Sequence, residues 1–231
     1  MVQMTNDRLT IRFRFRKEGS LQYISHLDLV RTMNKIIVRS KLPLWYTEGF
    51  NPKPKMVFAA PLSIGTESHA EYMDIRLTKY IDPVEAMARM NANMTSEMQV
   101  LEAYYPETKL TELAWMTYTI SVRSPHISEQ TAEKCNEVFA RETMEVLKST
   151  KSGEKIVDIK PLVRSASAAY SDGAIRITAV LSASPSEFLN PEYIVKLLRE
   201  RVGLLSDPDL TRESYSVMRE RAHTSDMTEF R

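Results

Sequence analysis

The chain has 231 residues, 43% hydrophobic and 26% charged, with a net charge of +1. This is an ordinary globular composition with room for one large or two small domains. One cysteine, Cys135, excludes an intramolecular disulfide and any cysteine-based metal or iron–sulfur cage. No apolar run reaches the length of a membrane span, and the opening MVQMTNDRLT has no signal-peptide core, so a cytoplasmic protein is expected. The four histidines, His26, His69, His126 and His223, show no metal-ligand spacing, so neither a metal nor a cofactor is expected. The total charge hides an imbalance. Residues 1–62 hold eleven Lys/Arg against four Asp/Glu, a net of +7, which leaves −6 on the other 169 residues. That asymmetry points to a polyanionic partner, RNA first, with a merely solvated basic face as the alternative.

Leu9–Arg16 alternates strictly, with Ile11, Phe13 and Phe15 on one face and Arg12, Arg14 and Arg16 on the other, which predicts a strand with an open arginine side. Ser25 is placed to cap a helix running to about Ser40, with Asp28 at the capping-box position and Leu29, Met33, Ile36 and Ile37 as its buried stripe. Residues 48–55 form a loop in which Pro52 and Pro54 restrict the backbone and Asn51 is expected to bond the turn. A strand over Met56–Pro61, a turn over Ser63–Ser68 at Gly65, and an alternating strand over Glu71–Leu77 follow. Asp82-Pro83 starts a second helix, and Met98–Tyr105 is the last strand. The order β-α-β-β-α-β is the ferredoxin-like pattern.

After a linker over 106–112 the second half reads as β-α-β(ββ)-α-β, with Ser128 capping one helix, a hairpin turn at Ser171-Asp172-Gly173, and Asn190-Pro191 opening a helix that stops at Gly203. The fold class is therefore α+β. Two ferredoxin-like units are expected, a basic one over 1–106 and a second over 113–231 that carries an extra strand or hairpin.

Arg12, Arg14 and Arg16 suit phosphate binding, and Lys53 and Lys55 would extend that surface. The competing reading is cross-strand pairing, because the first strand of such a sheet neighbours the third. Asp74 would then neutralise one arginine and Tyr72 would stack on another. Tyr23, Tyr46 and Phe50 flank the basic loop and suit base stacking on single-stranded RNA, or packing of the loop on the sheet. His26 is the best candidate for acid–base chemistry, although Asp28 does not face it on a helix and capping explains Ser25 and Asp28. Gly65 is read as a turn residue and Cys135 as packing.

The segments Tyr23–Leu29 (YISHLDL), Glu48–Lys55 (EGFNPKPK), Pro61–Ser68 (PLSIGTES) and Glu71–Ile75 (EYMDI) resemble the radical SAM-linked protein family, a bacterial domain found beside or fused to a B12-binding-type radical SAM protein. The resemblance covers about residues 10–80 and marks Ser25, Asp28, Asn51, Pro52, Gly65, Glu67 and Asp74 as motif residues. Lys53 stands where the family often has His. The family's members often lie near genes for ribosome components and RNA processing, so the resemblance implies an RNA context and a radical SAM partner. The chain itself lacks the CxxxCxxC that holds a radical SAM cluster. The leading expectation is an RNA-binding accessory protein, not an enzyme on its own, that presents tRNA or rRNA to a separate radical SAM enzyme. No membrane or DNA partner is expected. The alternatives are a metal-independent RNA-cleaving or RNA-modifying enzyme using His26 with Lys53 or Lys55, and a protein-only adaptor.

Overall fold

The alternation of Leu9–Arg16 becomes β1 (Leu9–Lys17), with Ile11, Phe13 and Phe15 fully buried. It is seen in a computed structural model that describes residues 9–150, 153–184 and 186–231; Asp7 and Arg8 of the basic segment lie outside the described residues. The chain divides into two units, one reaching to Glu112 and including Phe230 and Arg231, the other Leu113–Glu229. Both mix helices with antiparallel strands.

In the first unit β1 is followed by α1 (His26–Arg39), β2 (Met56–Phe58), β3 (Thr66–Leu77), α2 (Pro83–Asn91) and β4 (Met98–Tyr104). The strands pair antiparallel in the order β4-β1-β3-β2. Ile11 lies opposite Ile75 and Phe13 opposite Met73, so both central strands send their apolar rows to one face. Leu29, Met33 and Ile37 of α1 and Ala86 and Met90 of α2 join those rows in one core. The opposite face carries Arg12, Arg14, Tyr72, Asp74 and Arg76.

Several boundaries differ from expectation, among them the end of β2, at Phe58 instead of Pro61. β3 starts at Thr66 instead of Glu71, because Thr66, Ser68 and Ala70 are buried in strand alternation although small or polar. Gly65, at φ +82°, is left as the last turn residue in a conformation that suits glycine. β1 also runs on to Lys17, which turns inward and donates to the carbonyls of Leu21 and Gln22 at 3.1 and 3.3 Å. A bulge between Phe15 and Lys17 adjusts its register on β3.

The second unit contains β5 (Trp115–Arg123), α3 (Glu129–Ala140), β6 (Glu145–Thr150), β7 (Gly153–Asp158), β8 (Val163–Ser171), β9 (Ala174–Ser184), β10 (Glu187–Phe188), α4 (Glu192–Val202) and β11 (Ser214–His223). Its antiparallel order is β11-β5-β9-β8, with β10 on β9 and β6 and β7 forming a separate hairpin. Asp172 and Gly173 both adopt positive φ, at 52° and 70°, as a two-residue hairpin between β8 and β9 requires. Asn190 accepts from the Glu192 amide at 3.0 Å ahead of α4. No helix among the described residues is long and apolar enough to cross a membrane.

Cys135 is fully buried on α3 among Ala132, Val138 and Phe139, and burial pushes its thiol up to about 11. A buried, protonated thiol is a poor nucleophile. Native protein at pH 8 should therefore react with a thiol reagent only at the rate of unfolding, and addition of denaturant should release one fast-reacting equivalent.

Candidate functional site

The open arginine face expected from the alternation is not present, because each arginine is taken by partners from neighbouring strands and loops. Arg12 is fully buried. Its Nε and Nη2 donate to the two carboxylate oxygens of Asp74 at 2.7 and 2.9 Å. Nη1 and Nη2 also donate to the hydroxyl and carbonyl of Thr108, at 3.1 and 3.0 Å. The guanidinium lies 4.7 Å from the centre of the Phe230 ring, which meets Tyr72 edge-on at 5.1 Å. Arg14 donates to Glu102 at 2.8 Å and to the His69 carbonyl at 3.1 Å. Arg16 donates to the Ser96 carbonyl at 2.8 Å and lies 3.4 Å from Glu18, whose other oxygen is 2.5 Å from His69 Nε2. The register is the reason: Asp74 on β3 lies opposite Arg12 and Glu102 on β4 opposite Arg14. The five basic residues therefore do not share one continuous open surface.

Lys53 and Lys55 occupy a different feature. Residues 45–55 fold back as a hairpin. The Thr47 amide donates to the Lys53 carbonyl at 2.9 Å, the Lys55 amide to the Trp45 carbonyl at 3.0 Å, and Tyr46 bridges Pro54. The base is tied to the end of β3, with the Trp45 amide donating to the Arg76 carbonyl and the Arg76 amide to the Lys55 carbonyl. Thr47, not Asn51, clasps the turn: its hydroxyl accepts from the Lys53 amide at 3.1 Å, and Asn51 is exposed. Tyr46, Phe50, Lys53 and Lys55 are all exposed, Phe50 completely, and neither lysine has an ion pair among the described residues. Tyr23 is exposed too, but on the one-turn 3-10 helix Gly19–Tyr23.

The remaining motif residues organise the start of α1. Ser25 caps the helix, accepting from the Asp28 amide at 3.1 Å and donating to the Asp28 carboxylate at 2.7 Å. That hydroxyl, then Arg31, holds the Asp28 carboxyl below its usual range. Glu67 accepts from the Gly19 amide at 2.8 Å, and the Gly65 amide donates to the Gln22 carbonyl. His26 is exposed and sits edge-on to Phe58 at 5.5 Å; among the described residues it has no hydrogen-bond or ion-pair partner to orient it. No group of three or more His, Cys, Asp or Glu side chains among the described residues is arranged to hold a metal ion.

One feature was missed in the sequence. A cavity of about 350 Å³ opens on the sheet face opposite the helices, between Thr10, Lys55, Asp74, Arg76 and residues 106–110. Its signal was available in part, since Arg76 continues the outward row Tyr72-Asp74.

The pairing of Arg12 yields a stability test. Asp74→Ala strands a buried guanidinium and should cost about 3–5 kcal/mol. Glu102→Ala removes the partly exposed partner of Arg14 and should cost under about 1 kcal/mol. Urea unfolding of both variants checks the order, and equal losses would contradict it.

No curated protein matches the chain. Among solved structures, a chain in the crystal structure of a Cbf5-Nop10-Gar1 complex is 11% identical with a TM-score of 0.49, the alignment covering 93% of this chain and 49% of that one. A chain of the archaeal box H/ACA sRNP Nop10-Cbf5 complex is 8% identical with a TM-score of 0.46, covering 93% and 48%. This chain thus spans about half the length of either, and likenesses this loose carry no functional argument. Residues 10–191 match the family described as uncharacterized proteins conserved in bacteria (DUF2344), a match that runs from β1 to the start of α4, and the chain belongs to that family.

Proposed function

We propose that this protein is an RNA-binding accessory protein, and that it touches RNA through the 45–55 hairpin instead of the arginine row. The observation that carries the reading is Phe50, fully exposed at a hairpin tip whose flanks present Lys53, Lys55 and Tyr46 to solvent. An exposed aromatic adds nothing to a core, whereas a base stacked on it gains about 1–3 kcal/mol. Unpaired ammonium groups beside it suit the backbone phosphates. Each unit is read as ferredoxin-like, supported by the orders β4-β1-β3-β2 and β11-β5-β9-β8. The partner is read as a separate radical SAM enzyme acting on tRNA or rRNA, on the strength of the motif resemblance alone. Catalysis by His26 is disfavoured, since among the described residues no hydrogen-bond or ion-pair partner orients its exposed ring.

The binding test is a titration against short single-stranded RNA at several salt concentrations. Two lysine contacts give a slope of about −1.4 in log K against log[salt]. Lys53→Ala should flatten it by about 0.7. Phe50→Ala should weaken binding by roughly tenfold or more with the slope unchanged. Arg14→Ala should change neither. Absence of binding at low salt would favour the protein-only adaptor. A steeper slope that falls with Arg14→Ala would return the arginines to the interface.

A further inference from the structure

We propose that the cavity on the outward face of the first unit is a phosphate site for a nucleotide-sized phosphomonoester. Three cations converge on it. Lys55 and Arg76 lie across from each other where the hairpin base meets β3, and Lys109 comes from the segment that forms the far wall. None of the three has an ion pair among the described residues, and the charge of the nearby Asp74 is already matched by the bidentate pair with Arg12. With Asp74 thus neutralised, three cations face a single further carboxylate, Glu107, exposed at the rim. Partly buried Arg76 offers a planar fork that matches phosphate oxygens, and two ammonium groups complete the charge for a dianion. Thr10, paired with Arg76 across β1 and β3, adds a hydroxyl donor. Val57, Pro106 and Leu110 supply an apolar wall for the organic part.

The wall is held in place. Arg12 fixes Thr108, and a reciprocal pair joins Lys109 to Glu112, with the Lys109 amide donating to the Glu112 carboxylate at 2.8 Å and the Glu112 amide to the Lys109 carbonyl at 3.0 Å. The volume lies at the lower end of small-ligand pockets, roughly 300–1,000 Å³. The phosphate could belong to a free nucleotide or to the end of an RNA strand.

Calorimetry on the full chain with adenosine monophosphate tests this, with adenosine as the phosphate-free control. Adenosine monophosphate should bind and adenosine should not. Arg76→Gln and Lys109→Gln should each weaken binding by about tenfold or more. Lys109 is exposed and its side chain holds nothing in the fold, so its variant remains informative if Arg76→Gln misfolds. Lys53→Gln and Phe50→Ala should leave nucleotide binding unchanged while reducing RNA binding, which separates this site from the hairpin. A 5′-phosphorylated RNA binding more tightly than its 5′-hydroxyl twin, only while Lys109 is present, identifies a strand end as the source; equal binding of the two RNAs alongside nucleotide binding identifies a free nucleotide. No heat with adenosine monophosphate, equal binding of adenosine, or wild-type affinity in both glutamine variants overturns the proposal.

Discussion

The guanidinium of Arg12 is the constraint around which the outward face of the first unit is built. A buried charge costs several kcal/mol unless its hydrogen-bonding capacity is met, and here Asp74, Thr108 and the face of Phe230 meet it. Each partner fixes something different. Asp74 locks the register of β1 on β3, where a slip of one residue would exchange the core row for the arginine row. Thr108 anchors the segment after β4, and Phe230 covers the sheet beside Tyr72. Because Arg12 takes up the charge of Asp74, Arg76 and Lys55 beside it have no ion pair among the described residues. The same bond that stabilises the strand pair thus creates the cationic character of the adjoining cavity.

What the sequence made legible follows from the range of the interactions involved. The alternation of β1, the Ser25 cap and the Asp172-Gly173 turn are local, each specified within a few residues, and all three could be read directly. The pairing of Arg12 with Asp74 was legible as an alternative, since it needs only the neighbourhood of the first and third strands. The contact with Thr108 spans 96 residues and that of Arg14 with Glu102 spans 88, and no local pattern encodes either. The early start of β3 was hidden for another reason: Thr66, Ser68 and Ala70 alternate in burial but not in hydrophobicity. In the hairpin, both Thr47 and Asn51 have the chemistry of a turn residue, and only the backbone path decides which one meets the Lys53 amide.

The basic excess of residues 1–62 also has a different meaning once folded. Net charge counts every cation equally, but Arg12 and Lys17 are buried, and Arg14 and Arg16 sit in partly screened pairs. A polyanion meets mostly what remains: of the two lysines and three arginines proposed as one surface, Lys53 and Lys55 are exposed and have no ion pair among the described residues, and the same holds for Lys35, Arg39 and Lys41 on and just after α1. The far field of the segment favours polyanions in general, but close contact depends on donors that are not already engaged.

This shifts weight to the hairpin, and its construction fits a preformed contact. Pro52 and Pro54 reduce the freedom of the unfolded chain, while cross-strand bonds and the attachment to Arg76 hold the arm in the folded state. Ordering a flexible loop would subtract from any binding energy, whereas an arm already in place forfeits little. Phe50 then matters by its position at the tip, because a ring that contacts nothing in its own fold can give its whole face to a partner. The arm and the cavity share Lys55 at the hairpin base, yet they draw on different chemistry, one on an aromatic surface and the other on a guanidinium fork. The two proposed contacts can therefore be weakened independently, Phe50 without loss of the cavity's cations and Arg76 without loss of the exposed ring.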